Sequence, residues 1–296
     1  MNRLHTQKSF QDAGAGRLYL VPTPIGNLED MTFRAVSILK KADLIAAEDT
    51  RNTKNLCRHF EIETKLVSYH EHNKEESGRK LMADLHEGKQ IALVTDAGTP
   101  CISDPGYELV KLCVEEGVNV VPLPGANAAV TALIASGLKP QPFYYYGFLP
   151  RQKKEKREEL AFLSTIPATF ILYESPHRLK ESLKEMQEAL GSERQMTISR
   201  ELTKKFEEFV RGSIEECLQW AEESELRGEF CLVIEGAERD KWQQDEEIWW
   251  SELSLTEHVE HYIQQKSMTS KAAIKETAKD RGVPKRDVYQ DYHIDH

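Results

Sequence analysis

No stretch of this 296-residue chain approaches the roughly 18 to 20 consecutive apolar residues that a membrane-spanning helix needs, which excludes a helical membrane protein. The first sixteen residues have no apolar core followed by a cleavage site, so they read as a disordered leader and not as a secretory signal. Cysteine is scarce: five residues, at 57, 101, 113, 217 and 231, with no C-x-x-C pair among them. That usage argues against disulfides and zinc and for a reducing, cytoplasmic setting. Neither G-x-x-x-x-G-K-[ST] nor a strand followed by G-x-G-x-x-G occurs, so the usual phosphate-cradling loops are missing. Without H-E-x-x-H or G-x-S-x-G there is no sign of a metallopeptidase or a serine hydrolase. His70 and His72 flank Glu71 at strand spacing but have no further ligands nearby, and they read as polar surface.

Net positive charge is also lacking. The formal charge is −10, which counts against nucleic acid, because neutralisation of the backbone by Lys and Arg supplies most of that affinity. The charge is segregated, however. Arg151 to Arg157, His177 to Lys184, Arg200 to Lys205 and the tail from Lys266 to Arg286 are basic, while Glu238 to Glu260 is acidic. A polyanion could be met by one face of such a molecule; ordinary solvated surface charge is the alternative.

What is present is organised around Val94 to Gly106, V-T-D-A-G-T-P-C-I-S-D-P-G. The apolar run Ile91 to Val94 stops at this Gly- and Pro-rich segment and a helical pattern resumes at Tyr107, so a buried strand feeds a rigid loop. Such loops at the carboxyl ends of parallel strands are where open α/β sheets bind ligands. Strands are expected at Arg17 to Val21, Asp43 to Ala47, Lys65 to Tyr69, Ile91 to Thr95 and Asn119 to Val121. Between them come a helix carrying Met31, Ala35, Ile38 and Ala42, one carrying Leu81 and Leu85, and one carrying Tyr107, Val110 and Val114. The alternation predicts a parallel sheet covered on both faces, with P-T-P-I-G-N-L, the opening loop and P-L-P-G-A-N on one edge.

A small-residue helix from Ala126 to Gly137 leads to a linker ending at Pro142. Further strands are expected at Phe143 to Phe148, Ala168 to Tyr173, Met196 to Ser199, Glu207 to Val210 and Phe230 to Ile234, making a mixed sheet. Ser175 reads as the N-cap of a helix with Pro176 in its first turn and Leu179, Leu183, Met186 and Leu190 as its buried stripe. Ser213 with Glu216 reads as a capping box. The expected organisation is therefore a disordered leader over 1–16, an N-terminal α/β domain over 17–137, a C-terminal α/β domain over 138–236, and a linker with an all-helical extension over 237–296. The linker falls on Ala237 to Glu247, and two short tail helices around Gly282-Val283-Pro284 suggest either a helix-turn-helix or a packing or dimerisation element.

Six ordered blocks carry a resemblance: L-Y-L-V-P-T-P-I-G-N-L-E-D at Leu18 to Asp30, A-E-D-T-R at Ala47 to Arg51, the opening loop, P-L-P-G-A-N-A at Pro122 to Ala128, Y-E-S-P-H-R at Tyr173 to Arg178, and G-E-F-C-L-V-I-E-G at Gly228 to Gly236. Together they resemble the class III S-adenosylmethionine methyltransferases, the fold family of the tetrapyrrole methylases. Members of that family usually show G-x-G-P-G-D and G-D-P where this chain has P-T-P-I-G-N and G-T-P. Those departures are similar to the RNA-modifying branch, which methylates the ribose 2′-oxygen of a cytidine in the decoding region of 16S rRNA.

The resemblance implies S-adenosyl-L-methionine in a cleft between the two domains, a homodimer, and the small ribosomal subunit as partner, with no metal and no membrane. By motif it assigns Ile25, Ala97, Gly98, Thr99, Ile102, Asn127 and Ala128 to the cofactor, together with Tyr173, Glu174 and the region of Leu202 and Thr203. Transfer to a hydroxyl needs alignment with the sulfonium methyl and a group that accepts the proton. Glu48, Asp49, Arg51 and Lys204 are the candidates for catalysis, and Asp104, His177 and Arg178 for the substrate, with Arg51 and Arg178 as phosphate clamps. Two rival readings remain open on the sequence alone: a small-molecule, tetrapyrrole-type methyl acceptor on the same fold, and a nucleic-acid-binding regulator that uses the tail helices.

Overall fold

The computed structural model of the chain describes residues 6–9, 16–238, 250, 253–266 and 268–294. Strands β1 (Arg17–Leu20), β2 (Leu44–Ala47), β3 (Leu66–Ser68), β4 (Gln90–Val94) and β5 (Asn119–Pro122) form one all-parallel sheet in the order β3-β2-β4-β1-β5. Successive side chains of a strand face opposite ways. Leu44, Ala46, Ile91 and Leu93 therefore join one apolar layer with Leu81, Leu85 and Leu109, while Ile45, Ala47, Ala92 and Val94 join another with Ala35 and Leu39. Helices α1 (Phe33–Lys41), α2 (Thr50–His59), α3 (Lys74–His86) and α4 (Tyr107–Glu115) connect the strands. The Thr32 and Asp49 side chains cap α1 and α2 by accepting from the Ala35 and Arg51 backbone N–H groups.

Two local expectations differ from the structure in this sheet. The buried stripe of α4 is Leu109 and Cys113, while Tyr107 and Val114 are exposed, so the helix is rotated from the phase expected of Tyr107, Val110 and Val114. Helix α2 was not marked by any apolar stripe, because it buries only Thr53 and Cys57.

Helix α5 (Ala128–Ser136) leaves the first sheet and lies on the second. The second sheet comprises β6 (Phe143–Phe148), β7 (Thr169–Glu174), β8 (Gln195–Arg200), β9 (Glu208–Ser213) and β10 (Phe230–Ile234), in the order β6-β7-β10-β8-β9. Only β6 and β7 are parallel, joined by the crossover helix α6 (Lys153–Thr165); the other pairs are antiparallel. One face packs on α6, α7 (Leu179–Leu190) and α8 (Ile214–Glu223) through residues such as Leu160, Leu183, Met186 and Cys217. The other face receives Ala129, Ala132 and Leu133 of α5 against Ile171, Cys231 and Val233. Helix α5 thus links the two sheets, and a cleft is lined by residues of both.

Helix α7 begins three residues later than expected. Its N-cap is Arg178, and Ser175 to Arg178 form a turn in which the Ser175 carbonyl accepts the Arg178 and Leu179 N–H groups at 3.1 Å. The Ser175 N–H is already taken, because it donates to Glu174 at 2.8 Å. The Ser213 and Glu216 capping box forms as the sequence predicts. Within α6, Lys156 is buried with its Nζ 2.7 Å from Glu185 of α7.

Most of residues 1–16 and of the segment Ala237 to Glu247 lies outside the described residues. Gln7 is an exception: its amide donates to the Val120 carbonyl at 2.6 Å and accepts the Val120 N–H at 2.9 Å. Beyond Gly236 the chain forms a separate unit. There, α9 (Leu255–Lys266), α10 (Ser270–Asp280) and α11 (Lys285–Ile294) close on a small core of Val259, Ala273, Ile274, Ala278 and Val288. Arg281 ties that unit together by donating to His258 Nδ1 at 3.1 Å and to the Trp250, Leu253 and Ser254 carbonyls. Among the described residues no helix is long and apolar enough to cross a membrane.

Candidate active site

The loops at the carboxyl edge of the first sheet are bonded to one another. Thr23 and Gly98 exchange backbone hydrogen bonds at 2.9 and 3.0 Å, which joins the loop after β1 to the loop after β4. The Thr99 hydroxyl donates to the Ala126 carbonyl at 3.0 Å and joins the latter to the loop after β5. Gly98 has φ +85, and a Cβ there would lie 3.3 Å from Ile25 Cγ2. Gly106 has φ +140, and a Cβ would strike Cys101 Sγ and Leu93. Among the described residues five non-glycine residues have positive φ, and four of them lie in two turns that border this region: Cys101 and Ser103 in the loop after β4, Glu201 and Thr203 on either side of Leu202 after β8. Backbone strain of that kind persists where surrounding structure over-determines it and concentrates at functional sites.

The two walls also touch. Ser103 Oγ and Tyr145 OH are 2.6 Å apart, and the Tyr173 hydroxyl accepts the Ala129 N–H at 3.0 Å. Between the walls lies a cleft of about 420 Å³. Its lining contains the carboxylates of Glu48, Asp96, Asp104, Glu174 and Glu229 and no Lys, Arg or His. Burial, with the nearby charges of Glu48 and Asp96, pushes the Asp104 carboxyl up to about 7. Burial likewise raises Glu48. An environment that holds carboxyls this reluctant to ionise favours an added positive charge.

Of the residues singled out in the sequence, Ile25, Glu48, Ala97, Gly98, Thr99, Ile102, Asp104, Asn127, Ala128, Tyr173, Glu174 and Leu202 line the cleft. Thr203 and Lys204 follow Leu202 just outside it, and the Lys204 ammonium is held by Glu201 at 2.9 Å and Glu229 at 3.0 Å. Asp49 and Arg51 face away and pair with each other at 2.6 Å, which brings the Asp49 carboxyl down to about 2. Arg178 donates to the Leu149 and Pro150 carbonyls, and His177 is outside the lining. Glu174 accepts from Ser182 Oγ at 2.6 Å and lies 3.5 Å from Arg178, so its buried charge is compensated.

Sequence reasoning gave no role to Asp96, Ser199, Gly228 or Phe230, all of which line the cleft. Asp96 accepts the Asp49 N–H at 3.2 Å and the Asn52 amide at 3.0 Å. Ser199 is fully buried with its hydroxyl unpartnered. The last three lie in or beside antiparallel strands of the second sheet, whose facing depends on how α5 docks; the available signal was the block G-E-F-C-L-V-I-E-G, which begins at Gly228 and contains Phe230.

The model of the tetrapyrrole (corrin/porphyrin) methylases matches residues 17–218. The chain belongs to the tetrapyrrole methylase family. Within that family it stands with proteins named ribosomal RNA small subunit methyltransferase I. It is 61% identical to the one from Bacillus subtilis (strain 168) over 292 residues, 98% of this chain and 99% of that protein. The corresponding protein of Halalkalibacterium halodurans is 59% identical over 98% and 99% of the two chains. Among solved structures, uroporphyrin-III C-methyltransferase from Thermus thermophilus, complexed with S-adenyl homocysteine, superposes with a TM-score of 0.54 at 21% identity. That superposition covers 74% of this chain and 97% of the other, so the tetrapyrrole methylase fold extends across both sheets. Among the described residues no group of three His, Cys, Asp or Glu is arranged to hold a metal ion.

Proposed function

We propose that this tetrapyrrole methylase family member is an S-adenosyl-L-methionine-dependent methyltransferase that methylates the ribose 2′-hydroxyl of a cytidine in the decoding region of 16S rRNA. The observation that carries the reading is identity of 61% along almost the whole of both chains to a protein named for methylating small-subunit ribosomal RNA. The cleft fits the cofactor. Its charged lining residues are all acidic, which suits a cation, its loops offer backbone groups from Ala97 to Ile102 and at Asn127 and Ala128, and the orphaned Ser199 hydroxyl can bond a polar ligand atom. When bound, S-adenosylmethionine supplies an electrophilic methyl group on a sulfonium.

The chain's own part is to orient the acceptor and take its proton. Asp104 is the group best suited to the second task, because a carboxyl near 7 combines an available acceptor form with real basicity at neutral pH. Glu48 sustains that basicity through its charge. Lys204 holds the Leu202–Thr203 turn through its two ion pairs, and Arg178 holds the strand end at Leu149 and Pro150. Arg51, highly exposed, is available to a phosphate once it leaves Asp49.

The same reading includes a cytoplasmic location and a homodimer; the exposed Val130 and Ile134 on α5 support the latter. It also keeps the division into α/β domains over 17–137 and 138–236 with a linker and helical extension over 237–296. The test is methyl transfer from labelled S-adenosylmethionine to 30S subunits isolated from a strain lacking the modification, followed by nucleoside analysis. Label in 2′-O-methylcytidine is expected. Label in a base, or transfer only to a porphyrinoid, would overturn it.

A further inference from the structure

A second concavity, about 280 Å³, opens beside the cleft and shares Asp96 with it. Its floor is one face of α2, where Asn52, Asn55 and His59 recur at the three- and four-residue spacing that puts side chains in a row. Pro24 and Leu28 of the loop after β1 form an apolar wall. The same loop therefore divides two cavities: Ile25 lines the cleft, and Pro24 with Gly26 lines the groove.

Two of the polar side chains here are not consumed by the fold. Asn52 is bonded to Asp96, but among the described residues nothing hydrogen-bonds the Asn55 amide or the His59 ring. No Lys or Arg lines the groove, and its only carboxylate is Asp96, so a phosphate would meet repulsion without a counter-charge. A planar, uncharged group with donors and acceptors on its edge fits all of these features. An amide reads such an edge, and a histidine ring or a proline and leucine wall covers its face.

We propose that this groove is a subsite for one unpaired nucleobase of the RNA, held edge-on by Asn55 and Asn52 and covered by His59, Pro24 and Leu28. The subsite rests on the RNA acceptor proposed above and narrows it. A base anchored here is separated from the cleft by Asp96, which lines both, and by the Pro24–Gly26 turn, so the ribose hydroxyl of that nucleotide or its neighbour can be presented to the cleft. Chemistry on a nucleotide requires it to be taken out of its stack, and the exposed base then needs a receptor.

Asn55→Ala and His59→Ala test the subsite. Asn55 is exposed on a helix that alanine favours, so the fold survives the change. Steady-state methyl transfer to 30S subunits lacking the modification is measured with kcat and KM separated, and the affinity for S-adenosylhomocysteine is measured by calorimetry on the same proteins. The expected result is a KM for subunits raised about tenfold in each variant, with kcat and cofactor affinity within about twofold of the parent. The KM ratio should also stay constant as KCl is raised, because a base contact displaces no phosphate counterions. A KM within twofold of the parent in both variants, an equal loss of cofactor affinity, or a ratio that falls with salt would each overturn the subsite. Failure of the parent protein to methylate subunits at all would instead overturn the RNA reading itself, and the subsite with it.

Discussion

Replacing Asp104 by Asn should make the protein more stable and less active, and the stability gain should depend on pH. In the folded chain burial and the charges of Glu48 and Asp96 push the Asp104 carboxyl from 3.8 up to about 7. The sign follows directly: the folded state prefers the protonated form, so this group's favourable contribution is complete below the unfolded value near 3.8. It is lost as the pH rises toward 7. At about 1.4 kcal/mol for each tenfold change in proton affinity, the full displacement corresponds to about 4 kcal/mol, and solvent screening of this half-buried group cuts that to about 2 kcal/mol. The asparagine has the same shape and no charge to desolvate, so it recovers that amount at pH 8. For a unit of this size the gain raises the Tm by about 4 to 8 °C. Thermal unfolding followed by circular dichroism at pH 8 and pH 4.5 measures it, with the difference between the two proteins shrinking at the lower pH. Methyl transfer by the variant should fall at least about a hundredfold if Asp104 takes the proton. A variant no more stable than the parent at pH 8, or a gain of equal size at both pH values, would refute the reasoning.

Gly98→Ala should weaken S-adenosylhomocysteine binding about tenfold by calorimetry, since φ +85 strains any Cβ by roughly 1 to 2 kcal/mol and the new methyl presses on Ile25; unchanged affinity would count against the loop. Tyr145→Phe removes the 2.6 Å bond to Ser103 and about 1 kcal/mol of support for the loop that carries Asp104. Its pH–rate profile should shift while cofactor affinity holds, and an unmoved profile would show the bond to be incidental. Lys156→Met leaves Glu185 buried without its partner and should cost about 3 to 5 kcal/mol in denaturant unfolding. The double change Lys156→Met with Glu185→Leu should restore most of it, and a double variant as unstable as the single one would refute that account.

The parallel sheet was legible because its strands are short apolar runs and all but β3 end at or within two residues of a Pro or Asp, so strand and loop announce each other. Helices were harder wherever the buried face was not apolar. Helix α2 buries a threonine and a cysteine, and α6 buries Lys156 at the head of its stripe, so a basic run concealed a crossover helix. Helix α4 was out of phase because Cys113 serves as a core position while Tyr107 and Val114 are exposed. At the site, the loops that approach from the first sheet were evident from their composition. The opposite wall was not, because Ser199 and Phe230 are ordinary strand residues until α5 fixes which face of the second sheet looks into the cleft. Asp49 and Arg51 illustrate the converse: a charged pair at a strand end satisfied itself, and Asp96 took up the position at the shared wall.

The two bonds between Gln7 and Val120 have a consequence for the molecule as a colloid. Strand β5 is the last in its sheet, and a terminal strand presents a ladder of open donors and acceptors to any other extended chain. Gln7 answers one rung of that ladder with a side-chain amide, which mimics a peptide group without continuing as a strand. Gln7 thus works as a stopper against edge-to-edge association, and a protein shortened to begin at Gly16 would leave that rung open to another chain.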